Sequence, residues 1–148
     1  MRSHRTLILA FALAGAIGWA RPAAASSQVE LGLGADWLAS PREGAFQLTL
    51  AGDNWVGQHL SWGGRIGLLV LTDPSRFGVP IDFRLRGHFG RIYVEGLVGP
   101  WFLPRDNDAL HFHGGIGFGL VTNHVRVGLE VGYLDPTSMV GLRFAFPL

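Results

Sequence analysis

The chain has 148 residues, so a single domain is the expectation. Its formal net charge is +1, from 12 basic and 11 acidic residues, which leaves no cationic footprint for nucleic acid. Cysteine is absent, and that excludes disulfides, thiolate metal sites, a cysteine nucleophile and a lipid-bearing cysteine. Lysine is absent too. Every charged basic side chain is arginine, whose planar fork suits buried pairing with carboxylates, although a GC-rich genome would produce the same bias.

Residues 1–25 read as a secretory signal. Arg2, His4 and Arg5 form a positive head, Leu7 to Trp19 an apolar run, and Ala23-Ala24-Ala25 a small-residue cleavage site, with Ser26 opening the mature chain. The apolar run is shorter than the ~20 residues of a spanning helix. No later segment is long and apolar enough for one, so residues 26–148 can cross a membrane only with strands.

The remainder alternates with a period of two. In Val125-Arg126-Val127-Gly128-Leu129-Glu130-Val131-Gly132-Tyr133 the odd positions are apolar and the even ones are arginine, glycine or glutamate, which places the two sets on opposite faces of a strand. Eight strands are expected, over Val29–Leu38, Ala45–Ala51, Gly57–Leu71, Val79–His88, Arg91–Phe102, His111–Val121, His124–Leu134 and Ser138–Phe146. The connections alternate in kind. Prolines 41, 74, 104 and 136 mark four connections expected to be longer; Gly52-Asp53-Asn54, Phe89-Gly90 and Thr122-Asn123 read as tight turns. This is the spacing of an up-and-down meander.

Parity divides the strands into an apolar face and a polar one. The polar face carries Glu30, Asp36, Asp82, Glu95 and Glu130, with Arg65, Arg84, Arg86, Arg126 and Arg143 and eleven glycines. A soluble barrel or sandwich would turn the apolar face inward, and a secreted barrel binding an apolar ligand is the alternative. An eight-stranded barrel, however, is only just wide enough for its interior side chains. About thirty large apolar residues overfill it, whereas glycines beside long arginines fit. Trp37, Phe46, Phe102, Phe112 and Tyr133 lie beside the proline-bearing loops, and Phe89, Phe144 and Phe146 near the turns, as in two aromatic girdles. The expectation is therefore an all-β, eight-stranded antiparallel up-and-down transmembrane barrel, with lipid outside. Leu69, Leu97 and Trp101 fall on the polar face against the pattern, and Gly99-Pro100 reads as a bulge that resets parity.

From Val29 to Phe146 the chain resembles the eight-stranded OmpA/OmpX-type outer-membrane barrels. Its end, Met139-Val140-Gly141-Leu142-Arg143-Phe144-Ala145-Phe146, looks like the signal read by the barrel-assembly machinery, carried by Gly141, Phe144 and Phe146. Met139, where such signals have a polar residue, and the trailing Pro147-Leu148 depart from it. The resemblance implies an outer-membrane location in a Gram-negative-type envelope, termini and tight turns in the periplasm, and proline-bearing loops outside.

The expected chemistry is a lumen plug in which Glu30, Asp82, Glu95 and Glu130 pair with Arg65, Arg84, Arg86, Arg126 and Arg143, because unpaired buried charge is costly. Partners are membrane lipid and the assembly machinery; no cofactor, nucleic acid, metal or catalytic residue is expected, and the role reads as structural or interactional. Two further patterns are weaker. His111 and His113, with Asp106 and Asp108 ahead of them, have a metal-like spacing without a third fixed ligand. His59-Leu60-Ser61 has the His-x-Ser arrangement of lipid A deacylases, at the rim expected to face the periplasm.

Overall fold

The computed structural model describes residues 27–104 and 108–148. The signal segment and Asp106 lie outside them. Eight strands form one closed antiparallel barrel in sequence order: β1 (Ser27–Leu38), β2 (Glu43–Val56), β3 (Leu60–Thr72), β4 (Ser75–Phe89), β5 (Ile92–Phe102), β6 (Leu110–Val121), β7 (Arg126–Leu134) and β8 (Thr137–Pro147), with β8 pairing back onto β1.

The register fixes the barrel's dimensions. From Gln28 the cross-strand partners run through Asp53, Gly63, Arg84, Leu97, Gly115, Gly132 and Met139, and return to β1 at Leu38, ten residues beyond the start. With a rise of ~3.3 Å per residue and strands ~4.7 Å apart, that stagger tilts the strands by roughly 40° around a backbone radius of about 8 Å. Strands of 9 to 15 residues then reach about 22 to 37 Å along the axis; the longer ones cross an apolar band ~25 Å tall, and the nine-residue β7 spans most of it.

The apolar face is outside. Phe83, Leu129 and Phe144 are 50%, 40% and 39% exposed, while Arg84 and Glu130 are 4% and 0% exposed. The outward residues make a continuous belt of aliphatic side chains, among them Leu31, Leu33, Leu48, Leu68, Ile81, Ile116, Val131 and Leu142. Trp37, Phe46, Phe77, Phe102, Phe112 and Tyr133 crowd the proline-bearing rim, and Phe89 and Phe146 stand toward the turn rim. Water-soluble monomers rarely expose contiguous apolar patches of this extent, and a belt right around the barrel is the mark of a lipid-facing surface. The soluble alternative fails here.

Three expectations about the connections need correcting. Gly52-Asp53-Asn54 is not a turn: β2 runs on to Val56, Asp53 points inward, and the reversal falls at Gly57–His59, with Gly57 at φ 74°. Asn and Asp tolerate turns, but here the pairing of β1 down to Ser27↔Asn54 keeps the segment extended. The proline-bearing connections are not uniformly longer either, since Thr72↔Ser75 and Leu134↔Thr137 pair directly across two-residue turns. Composition alternates between the rims; length does not. Finally, β5 has no bulge. Its partners on β4 keep one register from Val79↔Phe102 to Phe89↔Ile92, and exposure alternates throughout. Proline at 100 only omits a ladder bond, because it lacks a donor. Leu69, Leu97 and Trp101 therefore point inward.

Candidate functional site

The lumen is stratified into three layers. Nearest the turn rim, Glu30, Asp53 and Glu95 face Arg84, Arg86 and Arg126. Arg84 donates from Nε and Nη2 to the two oxygens of Asp53 (3.1 and 2.6 Å) and from Nη2 to Glu30 (2.9 Å). Arg86 donates to Glu95 (2.9 Å) and Glu30 (3.1 Å), with its guanidinium over the Tyr93 ring at 5.0 Å. Arg126 pairs with Glu30 and donates to Gln28 (2.9 Å). Three arginines thus meet three carboxylates.

The middle layer is built around Glu130. It accepts from Arg65 (2.9 Å) and Arg143 (2.9 Å), and Arg65 also donates to Asp82 (3.0 and 2.7 Å). Asp82 further accepts from the Trp101 indole (3.1 Å) and contacts His113 Nδ1 (2.7 Å), whose Nε2 lies 3.3 Å from Glu130. Arg143 reaches Asp36 (2.6 Å), which also accepts from Gln47 (2.5 Å). Some pairs are cross-strand neighbours, such as Arg65↔Asp82 and Arg86↔Glu95. Others, Arg65 with Glu130 and Arg84 with Glu30, tie strands on different sides of the lumen.

Above these, under the proline-bearing rim, lies an apolar layer of Leu38, Ala45, Leu69, Leu71, Trp101, Leu103, Leu134 and Met139. Met139, anomalous as part of an assembly signal, belongs to it.

Glycine makes the lumen deep enough. A Cβ on Gly117 would stand 2.8 Å from the Glu95 carboxylate, and one on Gly141 would run into Asp36 and lie 2.6 Å from Arg143 Nη1. Gly141 is thus explained by packing as well as by any assembly role; Phe144 and Phe146 stand on the outer face.

All nine charged residues expected in the lumen are ion-paired; eight of them are buried and Arg143 is half-buried. The alternation alone puts Asp36, Gln47 and His113 on the inward face without giving them partners, whereas Asp53, Gln28 and Trp101 join the network unforeseen. Parity carried the signal for His113 and Trp101; Asp53 was hidden by the misplaced turn. The weaker patterns come apart. His111 contacts the Asp135 carbonyl at 2.7 Å while His113 turns into the ionic layer, and no metal-like cluster occurs among the described residues. Ser61 pairs with His88 (3.2 Å), not with His59, and is 1% exposed.

These features define an eight-stranded up-and-down transmembrane β-barrel with an ion-paired interior, the architecture of the OmpA/OmpX-type barrels. No family model matches the chain, and no curated protein matches it in sequence. Solved structures with the same fold include a de novo designed transmembrane β-barrel (TM-score 0.64, 11% identity, covering 82% of this chain and 95% of the other). The outer-membrane enzyme PagL aligns with TM-score 0.63 and 15% identity over 80% of this chain and 99% of its own. The Yersinia pestis outer-membrane protein Ail aligns with TM-score 0.57 and 9% identity over 83% and 100%. At such identities the likeness is one of fold, and the fold, shared with an enzyme, does not decide catalysis.

Proposed function

We propose that the protein is an integral outer-membrane barrel with a closed, ion-paired lumen, serving a structural or interaction role and not a catalytic one. The observation that carries this is the pair of ionic layers bridging the lumen, capped by an apolar layer. A water path would have to break charge-assisted hydrogen bonds and then cross the apolar side chains. Among the described residues the connections on both rims offer little catalytic machinery, and the Ser61–His88 pair is buried.

The orientation proposed puts both termini and the Gly57–His59 rim in the periplasm and the proline-bearing rim outside. Insertion would proceed through the barrel-assembly machinery, with Gly141, Phe144 and Phe146 as the signal, and export through cleavage after residue 25. Planar-bilayer recording of the purified protein tests the closed lumen: no large steady conductance is expected, and reproducible open channels overturn it. Fractionation tests location, with a membrane pellet and heat-modifiable gel migration expected.

A further inference from the structure

At the proline-bearing rim a cup of about 140 Å³ opens above the apolar layer. Leu38, Leu71, Leu103 and Leu134 make its floor; Glu43 and Asp135 stand in its wall. Glu43 is 4% exposed. Its Oε1 accepts from Arg76 (2.7 Å), but Oε2 is buried and has no hydrogen-bond donor among the described residues. A buried carboxylate oxygen without a donor forfeits stability unless something else supplies one. Asp135, held by the Tyr133 hydroxyl (3.1 Å), adds a second carboxylate to a wall that also carries Arg76 and His111.

We propose that this cup binds a small primary amine with a compact aromatic or branched aliphatic body. The leucine floor takes the apolar body, and the ammonium donates to Glu43 Oε2. Apolar cavities of about this volume accommodate a benzene-sized group, which limits the ligand to roughly six to eight non-hydrogen atoms. The proposal deepens the interaction role suggested above by naming a ligand class for its outward rim. It is read on purified protein, so it stands or falls separately from the protein's location and from lumen closure.

The probe is benzylamine, with toluene as its donor-free counterpart, titrated against the full barrel in lipid nanodiscs with methyl-labelled leucine. Saturable shifts of the Leu38, Leu71, Leu103 and Leu134 methyls are expected, at concentrations at least tenfold lower for benzylamine than for toluene. Glu43→Gln should weaken benzylamine at least tenfold and leave toluene unchanged. Equal affinity for the two probes, equal benzylamine affinity in Glu43→Gln, or shifts confined to lipid-facing leucines such as Leu48 and Leu142 would overturn the proposal. The comparison of probes on the wild-type protein decides the matter without any variant, should Glu43→Gln fail to fold.

Discussion

Replacing Glu130 with glutamine separates a sealed lumen from a wet one. Glu130 is fully buried and holds two guanidiniums, Arg65 and Arg143, each at 2.9 Å, with His113 Nε2 3.3 Å away. Glutamine keeps the shape and one accepting oxygen but deletes the charge, so Arg143 is left with Asp36 and Arg65 with Asp82. In a dry interior, breaking such a buried pair from one side costs about 3–5 kcal/mol, because the remaining charges stay desolvated. Were the lumen water-filled, the same contacts would behave as exposed pairs worth about 0–1 kcal/mol. Urea unfolding of the barrel refolded into lipid vesicles, at fixed lipid composition, reads the difference as a shift in midpoint. The Glu130→Gln/Arg143→Gln double variant should cost less than the sum of the two single variants, since each single breaks the same pair, although Arg143→Gln also strips Asp36 of its cation. A Glu130→Gln cost below about 1 kcal/mol would refute the sealed-lumen reasoning.

Two glycines of one strand should respond oppositely. A Cβ on Gly99 would run into the Ile81 carbonyl and lie 2.8 Å from Asp82 Cα, so Gly99→Ala should cost about 1–3 kcal/mol in the same unfolding assay. Gly96 faces outward with nothing within 4 Å, so Gly96→Ala should be neutral or stabilise by up to about 1 kcal/mol. Leu129→Arg, in the middle of the outer belt, should cost about 2–4 kcal/mol in bilayers, whereas a neutral result would mean that face does not meet lipid. Truncation before Phe144 separates signal from structure less cleanly, so Phe146→Ser is the better probe. It should reduce membrane insertion in cells severalfold while the purified chain still refolds into vesicles, and equal loss in both settings would count against an assembly signal.

The sequence by itself determined the strand count, the meander order and which face meets lipid. All three follow from side-chain alternation, because a period of two survives errors of a few residues at strand ends. It was also enough to name nine of the charged residues that the lumen encloses, since a narrow interior admits large charges only as balanced pairs. Tertiary structure decided the rest. Gly52-Asp53-Asn54 has turn chemistry, yet β1 holds it extended, and only then does Asp53 meet Arg84. Whether Arg65 would pair with Glu130, or Arg84 with Glu30, depends on a ten-residue stagger that no local pattern encodes. The same stagger gathers Leu38, Leu71, Leu134 and Met139, from strand ends remote in sequence, into the apolar layer at the proline-bearing end of the lumen. Local chemistry sets which way each side chain points; closure of the sheet sets which side chain it finds there.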